Sequence, residues 1–215
     1  MKRLFTKFGV TLGAIFLSLV TANTASATTT VGGLNFDDDA FADILINSSG
    51  NFNISGGTLS DVLTDNDAGT FAFSFTPGAS VELGFVDNLL INGVGADLAI
   101  FELGFPDSFE VSVTAGGLTK SFLSQSTNVF ENGFQLNVAK IDLDDFGIAS
   151  GTTLSSVLIG LDTVSSSGTV PSLSLVGALN SVSPAASVPE PASTAAILAM
   201  AAVASGKLLK RKQST

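Results

Sequence analysis

The sequence predicts an all-β fold: one antiparallel β-sandwich or jelly-roll domain over residues 28–183, with an N-terminal signal peptide and a C-terminal transmembrane helix on either side. Three observations carry this. Apolar and polar residues alternate in short runs, the two-residue period of a strand with one buried and one wet face. Clusters of Gly, Asn and Pro fall between the runs at regular spacing, as in antiparallel strands joined by tight turns rather than in βαβ units. Only Leu59–Thr64 and Asp142–Ile148 read as short helical turns.

Taken in order, the run TFAFSF sets Phe71, Phe73 and Phe75 on one face and Ala72 and Ser74 on the other. After the turn Thr76–Ser80, SVELGF places Val81, Leu83 and Phe85 on one side. Asn92–Ala96 is the next turn, and DLAIFEL follows it. Leu98, Ala99, Ile100 and Phe101 are apolar on both faces, which predicts a central strand covered on each side. SFEVSV aligns Phe109, Val111 and Val113 before the turn Thr114–Gly117, and FQLNV aligns Phe134, Leu136 and Val138 after the hairpin signal Asn132-Gly133. The segment Pro184–Ser187 reads as a linker.

Composition excludes several functions. From Thr28 to Ser187 there are 18 acidic residues against Lys120 and Lys140, and 18 less 2 leaves a net charge of −16. Such a domain repels phosphate backbones, so no nucleic acid is expected as partner, and cations are its natural counterpart. The chain has no Cys and no His, which removes disulfides, Ser-His-Asp and Cys-His catalysis, and imidazole metal sites. Stability must come from an apolar core, for which about 160 residues suffice. All 17 aromatic residues are Phe, which lacks the polar handle that sugar-stacking rings commonly use.

The two ends carry membrane signals. Lys2, Arg3 and Lys7 precede the apolar stretch Val10–Val20, and Ala25-Ser26-Ala27 forms an A-x-A cleavage site, so residues 1–27 read as a signal peptide cut after Ala27. At the other end, residues 192–209 form an apolar run of roughly 27 Å as helix, close to a bilayer core if Lys207 snorkels. Lys210, Arg211 and Lys212 place that end on the cytoplasmic side. Just before the run, Val188, Pro189, Glu190 and Pro191 hold the chain extended without backbone donors at the two prolines. By physics alone this is either a protease-readable strand or a helix stop.

Pro189-Glu190-Pro191, the short apolar helix and the terminal Lys-Arg-Lys cluster resemble the PEP-CTERM sorting signal, over residues 188–212. The resemblance implies an exosortase-type sorting protease as partner. It also implies a transient inner-membrane anchor, a Gram-negative-type envelope, and delivery to the cell surface or exterior, where an extracellular polysaccharide is a candidate partner. A second resemblance covers most of the mature chain: FDDDAFADILI, GASVELGF, INGVGADLAIFELG, DSFEVSVTAGG, IDLDDFGI, VLIGLD and SLVGALNS are similar to exported bacterial cell-surface β-sandwich domains. It implies a fold more than an activity.

Candidate sites involve carboxylates. Asp97 and Glu102 bracket the central strand, and Asp97 with carbonyls of the Gly-rich turn is a candidate Ca²⁺ ligand; the alternative is a turn-capping Asp. Five residues apart on a strand, the two point to opposite faces. Asp65 and Asp67 in DNDAG have the look of a calcium loop that lacks its closing Glu, and a plain hairpin turn is the alternative. Asp37-Asp38-Asp39 and Asp144-Asp145 are solvated faces or cation sites. The leading expectation is a non-enzymatic surface or matrix protein, Ca²⁺-stabilised in one version. The alternative is a secreted carbohydrate-active hydrolase or carbohydrate-binding module with paired carboxylates.

Overall fold

The computed structural model describes residues 28–37, 39–113, 117–161 and 168–184. In chain order the strands are β1 (Thr28–Val31), β2 (Leu34–Asp37), β3 (Ile44–Ser49) and β4 (Asn53–Ile54), followed by helix α1 (Leu59–Thr64). Next come β5 (Ala72–Phe73), β6 (Ser80–Gly84), β7 (Leu89–Ile91), β8 (Leu98–Leu103), β9 (Ser108–Val113), β10 (Leu118–Leu123), β11 (Gln125–Glu131) and β12 (Phe134–Ile141). A 3₁₀ turn over Leu143–Phe146 precedes β13 (Thr153–Leu154), β14 (Ser156–Gly160), β15 (Leu173–Ala178) and β16 (Ser181–Val182). Both expected helical turns are present, and α1 keeps the expected boundaries.

Two sheets dominate, and their pairings are antiparallel: a five-stranded sheet in the order β10-β9-β14-β6-β3 and a six-stranded sheet in the order β11-β12-β8-β15-β5-β4. Smaller sheets join β1 to β2 and β13-β7-β16. The chain is therefore all-β and sandwich-like, with one continuous apolar core. The five-stranded sheet has the expected wet face. Phe109, Val111 and Val113 of β9 and Val157 and Ile159 of β14 are buried, while Glu110 and Leu158 between them face solvent.

The six-stranded sheet is covered on both faces at its centre. Each residue of β8 and of β15 is buried. On one side the β1–β2 hairpin lies over β8: the Phe36 ring stands 5.9 Å from that of Phe101 and 5.0 Å from that of Phe41. The hairpin turns at Gly32 (φ +55°), where a Cβ would stand 2.9 Å from both Phe101 and Thr127; the turn needs glycine for its backbone and for its closeness. Helix α1 sets Val62 and Leu63 into the core. Thr58 caps it reciprocally: the Asp61 N–H donates to the Thr58 hydroxyl and the Thr58 N–H donates to the Asp61 carboxylate. The Asn132-Gly133 hairpin forms as expected, with φ positive at both residues.

TFAFSF is strand-like as predicted, and its small residues take the core. Ala72 and Ser74 are fully buried, whereas Phe71 and Phe73 are half-buried and Phe75 is exposed. Interior packing here leaves room for an alanine and for a serine whose hydroxyl donates to the Asn51 carbonyl at 2.7 Å, so the larger rings are turned outward. Phe134 likewise stands half out, while Leu136 and Val138 beyond it are buried. The register shifts in two edge strands, between Leu45 and Asn47 in β3 and between Ser126 and Val129 in β11.

Candidate ligand-binding groove

The outward Phe residues gather. Phe71, Phe73 and Phe75 reach one groove with Leu103 at the end of β8, Phe105 in the loop after it, and Phe134 at the start of β12. Leu136 and Leu103 are register partners, which brings Phe134 and the end of β8 to the same region of the sheet. The groove holds about 410 Å³, within the usual range of small-molecule sites. Its rings form a chain of contacts: Phe71 stacks on Phe73 at 6.3 Å, Phe73 meets Phe75 edge-on at 5.6 Å, and Phe71 meets Phe134 edge-on at 5.8 Å. Polar atoms enter through Asp107, Thr169 and Ser172.

Asp107 is the charged group of the wall, and it is held from several sides. The Thr169 hydroxyl donates to its Oδ1 at 2.7 Å, its own N–H donates to Glu102 Oε1 at 2.7 Å, and its carbonyl accepts from the Ser124 N–H at 3.0 Å. The Ser124 hydroxyl donates to the same Glu102 oxygen. Because side chains alternate along β8, Glu102 points away from the face on which Leu103 lines the groove. Glu102 is fully buried, and its carboxyl is pushed up to about 7, first by burial. The Asp107 charge adds to the rise, while hydrogen bonds from Ser124, Asp107 and Ser172 offset part of it.

Glu102 Oε2 has no hydrogen-bond partner, and neither has Asn137 Oδ1. Glu102 and Asn137 are Cα partners across β8 and β12, so their side chains lie on the same face. The Asn137 amide N–H donates to the Gly104 carbonyl at 3.1 Å, which fixes its orientation. A proton on Oε2 would give this buried pair of acceptors the one donor it needs, which is consistent with the direction of the shift.

The predicted Ca²⁺ ligands do not come together. Asp97, fully buried, caps the turn before β8: Oδ1 accepts from the Gly93 N–H at 2.7 Å and the Asn180 amide at 2.8 Å, and Oδ2 accepts from the Leu143 N–H at 2.9 Å. The turn-capping alternative describes this residue. Glu102 lies at the other end of the strand. Asp65 accepts from the Asp67 N–H at 2.9 Å and from the Thr70 hydroxyl, and Asp67 accepts from the Gly69 N–H at 2.8 Å, so DNDAG closes α1 with side-chain-to-backbone bonds and is not a hairpin. Among the described residues no three acidic side chains form a metal-holding group. Asp144 receives the Asn92 amide, and Asp145 pairs with Lys120 at 3.7 Å. The carboxylates nearest the groove, Asp107 and Glu102, do not both face it.

Ala25, Ala27, Val188, Pro189, Glu190, Pro191, Lys207, Lys210, Arg211 and Lys212 lie outside the described residues, as does the expected C-terminal helix. Among the described residues no helix is long and apolar enough to cross a membrane. The sequence reading missed Phe105, Asp107, Phe134, Asn137 and Thr169 as site residues. For Phe71, Phe73 and Phe75 the signal was present, since a run alternating Phe with Ala and Ser can bury either face. No family model, curated protein or solved structure matches this chain.

Proposed function

We propose that this chain is an exported, non-enzymatic cell-surface or extracellular-matrix protein, sorted and C-terminally processed through a PEP-CTERM signal at residues 188–212. The carrying observation is the pair of membrane signals at opposite ends of a strongly acidic β segment: Lys2, Arg3 and Lys7 with Ala25 and Ala27 at one end, and Pro189-Glu190-Pro191 with Lys210, Arg211 and Lys212 at the other. The signals leave residues 28–187 outside the cytoplasm, where an all-β domain without Cys or His serves by binding and display. Its finer architecture on this reading is a single β-sandwich of jelly-roll type. An exosortase-type protease removes the tail, and extracellular polysaccharide is the partner that this location offers.

The test is deletion of Pro189–Pro191. The variant is expected to keep its tail and stay in the inner membrane, as read by fractionation and by mass of the C-terminal peptide. Normal processing and release of that variant would overturn the sorting role.

A further inference from the structure

We infer that the Phe groove is a binding site for a small organic ammonium ion, a cation carrying apolar substituents on nitrogen. Four observations lead there. First, aromatic rings from three separate segments converge on one space, and the chain bears the cost of leaving them wet: Phe75 is 63% exposed, Phe105 75% and Phe134 49%. Second, the rings meet one another in stacked and edge-on contacts along the groove, and a ring face open to it attracts a cation through its quadrupole.

Third, the wall contains a carboxylate. Asp107 is only 3% exposed, and the Thr169 hydroxyl and the Glu102–Ser124 pair behind it fix its position. A purely apolar ligand would gain nothing from a charge placed there, whereas a desolvated cation is stabilised by both the charge and the rings. Fourth, among the described residues no basic side chain lines the groove. Lys120 is engaged by Asp145 and lies over the Phe146 ring, and Lys140 is six residues, about 20 Å, along β12 from Phe134.

Charge also decides among occupants. A second copy of this domain brings another −16, so charge repulsion disfavours self-association through the exposed rings. The volume of about 410 Å³ suits one small ligand rather than an extended surface. Substituted ammonium ions match both the sign and the size, and their weak hydration lets them leave water for an aromatic site more readily than a metal cation does. This inference concerns the described domain and stands whether or not the C-terminal sorting role holds.

The experiment titrates the full-length chain with choline and, separately, with 3,3-dimethylbutan-1-ol, the uncharged molecule of the same shape, by calorimetry. Choline is expected to bind at least about tenfold more tightly than its isostere, the factor that a modest cation–π and charge contribution supplies. Phe75→Ala and Phe105→Ala remove exposed rings and should leave the melting temperature in place. Each should weaken choline binding about threefold or more. Asp107→Asn should reduce the preference for choline over the alcohol, a ratio that a general loss of packing would not change selectively. Equal affinity for the two probes would overturn the inference, as would ring variants that bind choline unchanged. Capture on phosphatidylcholine vesicles that free choline fails to displace would also overturn it, because the ligand would then be a lipid surface.

Discussion

The two ends of β8 use the same chemistry to opposite effect. At its start Asp97 is a buried carboxylate with both oxygens accounted for, fastening the Gly93 turn, the 3₁₀ turn at Leu143 and Asn180 to one point. At its far end Glu102 is equally buried but has one oxygen without a partner, and it sits behind the groove. A buried acid with one oxygen short of donors is held more cheaply with its proton on. Burial is alike at the two ends; what separates them is that both Asp97 oxygens accept hydrogen bonds while Glu102 Oε2 has none.

The largest effect expected from this contrast is at the satisfied end. Asp97→Ala leaves the Gly93 and Leu143 N–H groups and the Asn180 amide without their acceptor inside the fold. A loss of about 4 kcal/mol is expected in urea unfolding, enough to unfold a marginal domain. A loss under about 1 kcal/mol would show that water or another acceptor replaces the carboxylate.

The next effect is at the unsatisfied end and depends on pH. The folded pKa of Glu102, about 7, lies above its ordinary 4.5, so between these values the folded state binds more protons than the unfolded one. Its contribution is therefore fully present below about pH 4.5 and is lost as pH rises through 7, up to about 3 kcal/mol in all. Glu102→Gln has no proton to lose. Comparing urea midpoints of the two proteins from pH 5 to 8 should show the wild type losing stability relative to the variant. Parallel curves would place the anion comfortably in the fold.

The smallest effect separates groove rings from core rings. Phe105→Ala, at a ring three-quarters exposed, should change unfolding free energy by no more than about 0.5 kcal/mol. Phe101→Ala, four residues earlier and fully buried under Phe36, should cost about 4 kcal/mol. Similar losses would mean that the groove is core and not a site.

These contrasts also mark what could be read from the residues alone. The central, doubly covered strand at Leu98–Leu103 was legible because apolar residues on both faces leave few other readings, and α1 was read as a short turn over Leu59–Thr64, its reciprocal Thr58–Asp61 cap emerging only in the structure. The face of TFAFSF was not, because alternation gives the period and leaves the choice of inward face to the volume that the opposing layer provides. Asp97 was recognised as important, with capping and cation binding left open. Its acceptance of the Leu143 N–H spans 46 positions of chain, which local pattern does not carry. Asp107 was missed for the same reason, since its partners Glu102, Ser124 and Thr169 converge only in the fold.

The sheet edges have a consequence for how this domain behaves when it is concentrated. A flat edge strand offers a row of open backbone groups on which the next molecule can add itself, the first step of a cross-β fibre. Here β4 is two residues long, β3 and β11 each break register, and β10 carries Lys120 in mid-strand. Each of the four outer edges of the two large sheets thus interrupts the template, which disfavours growth of a fibre through those sheets.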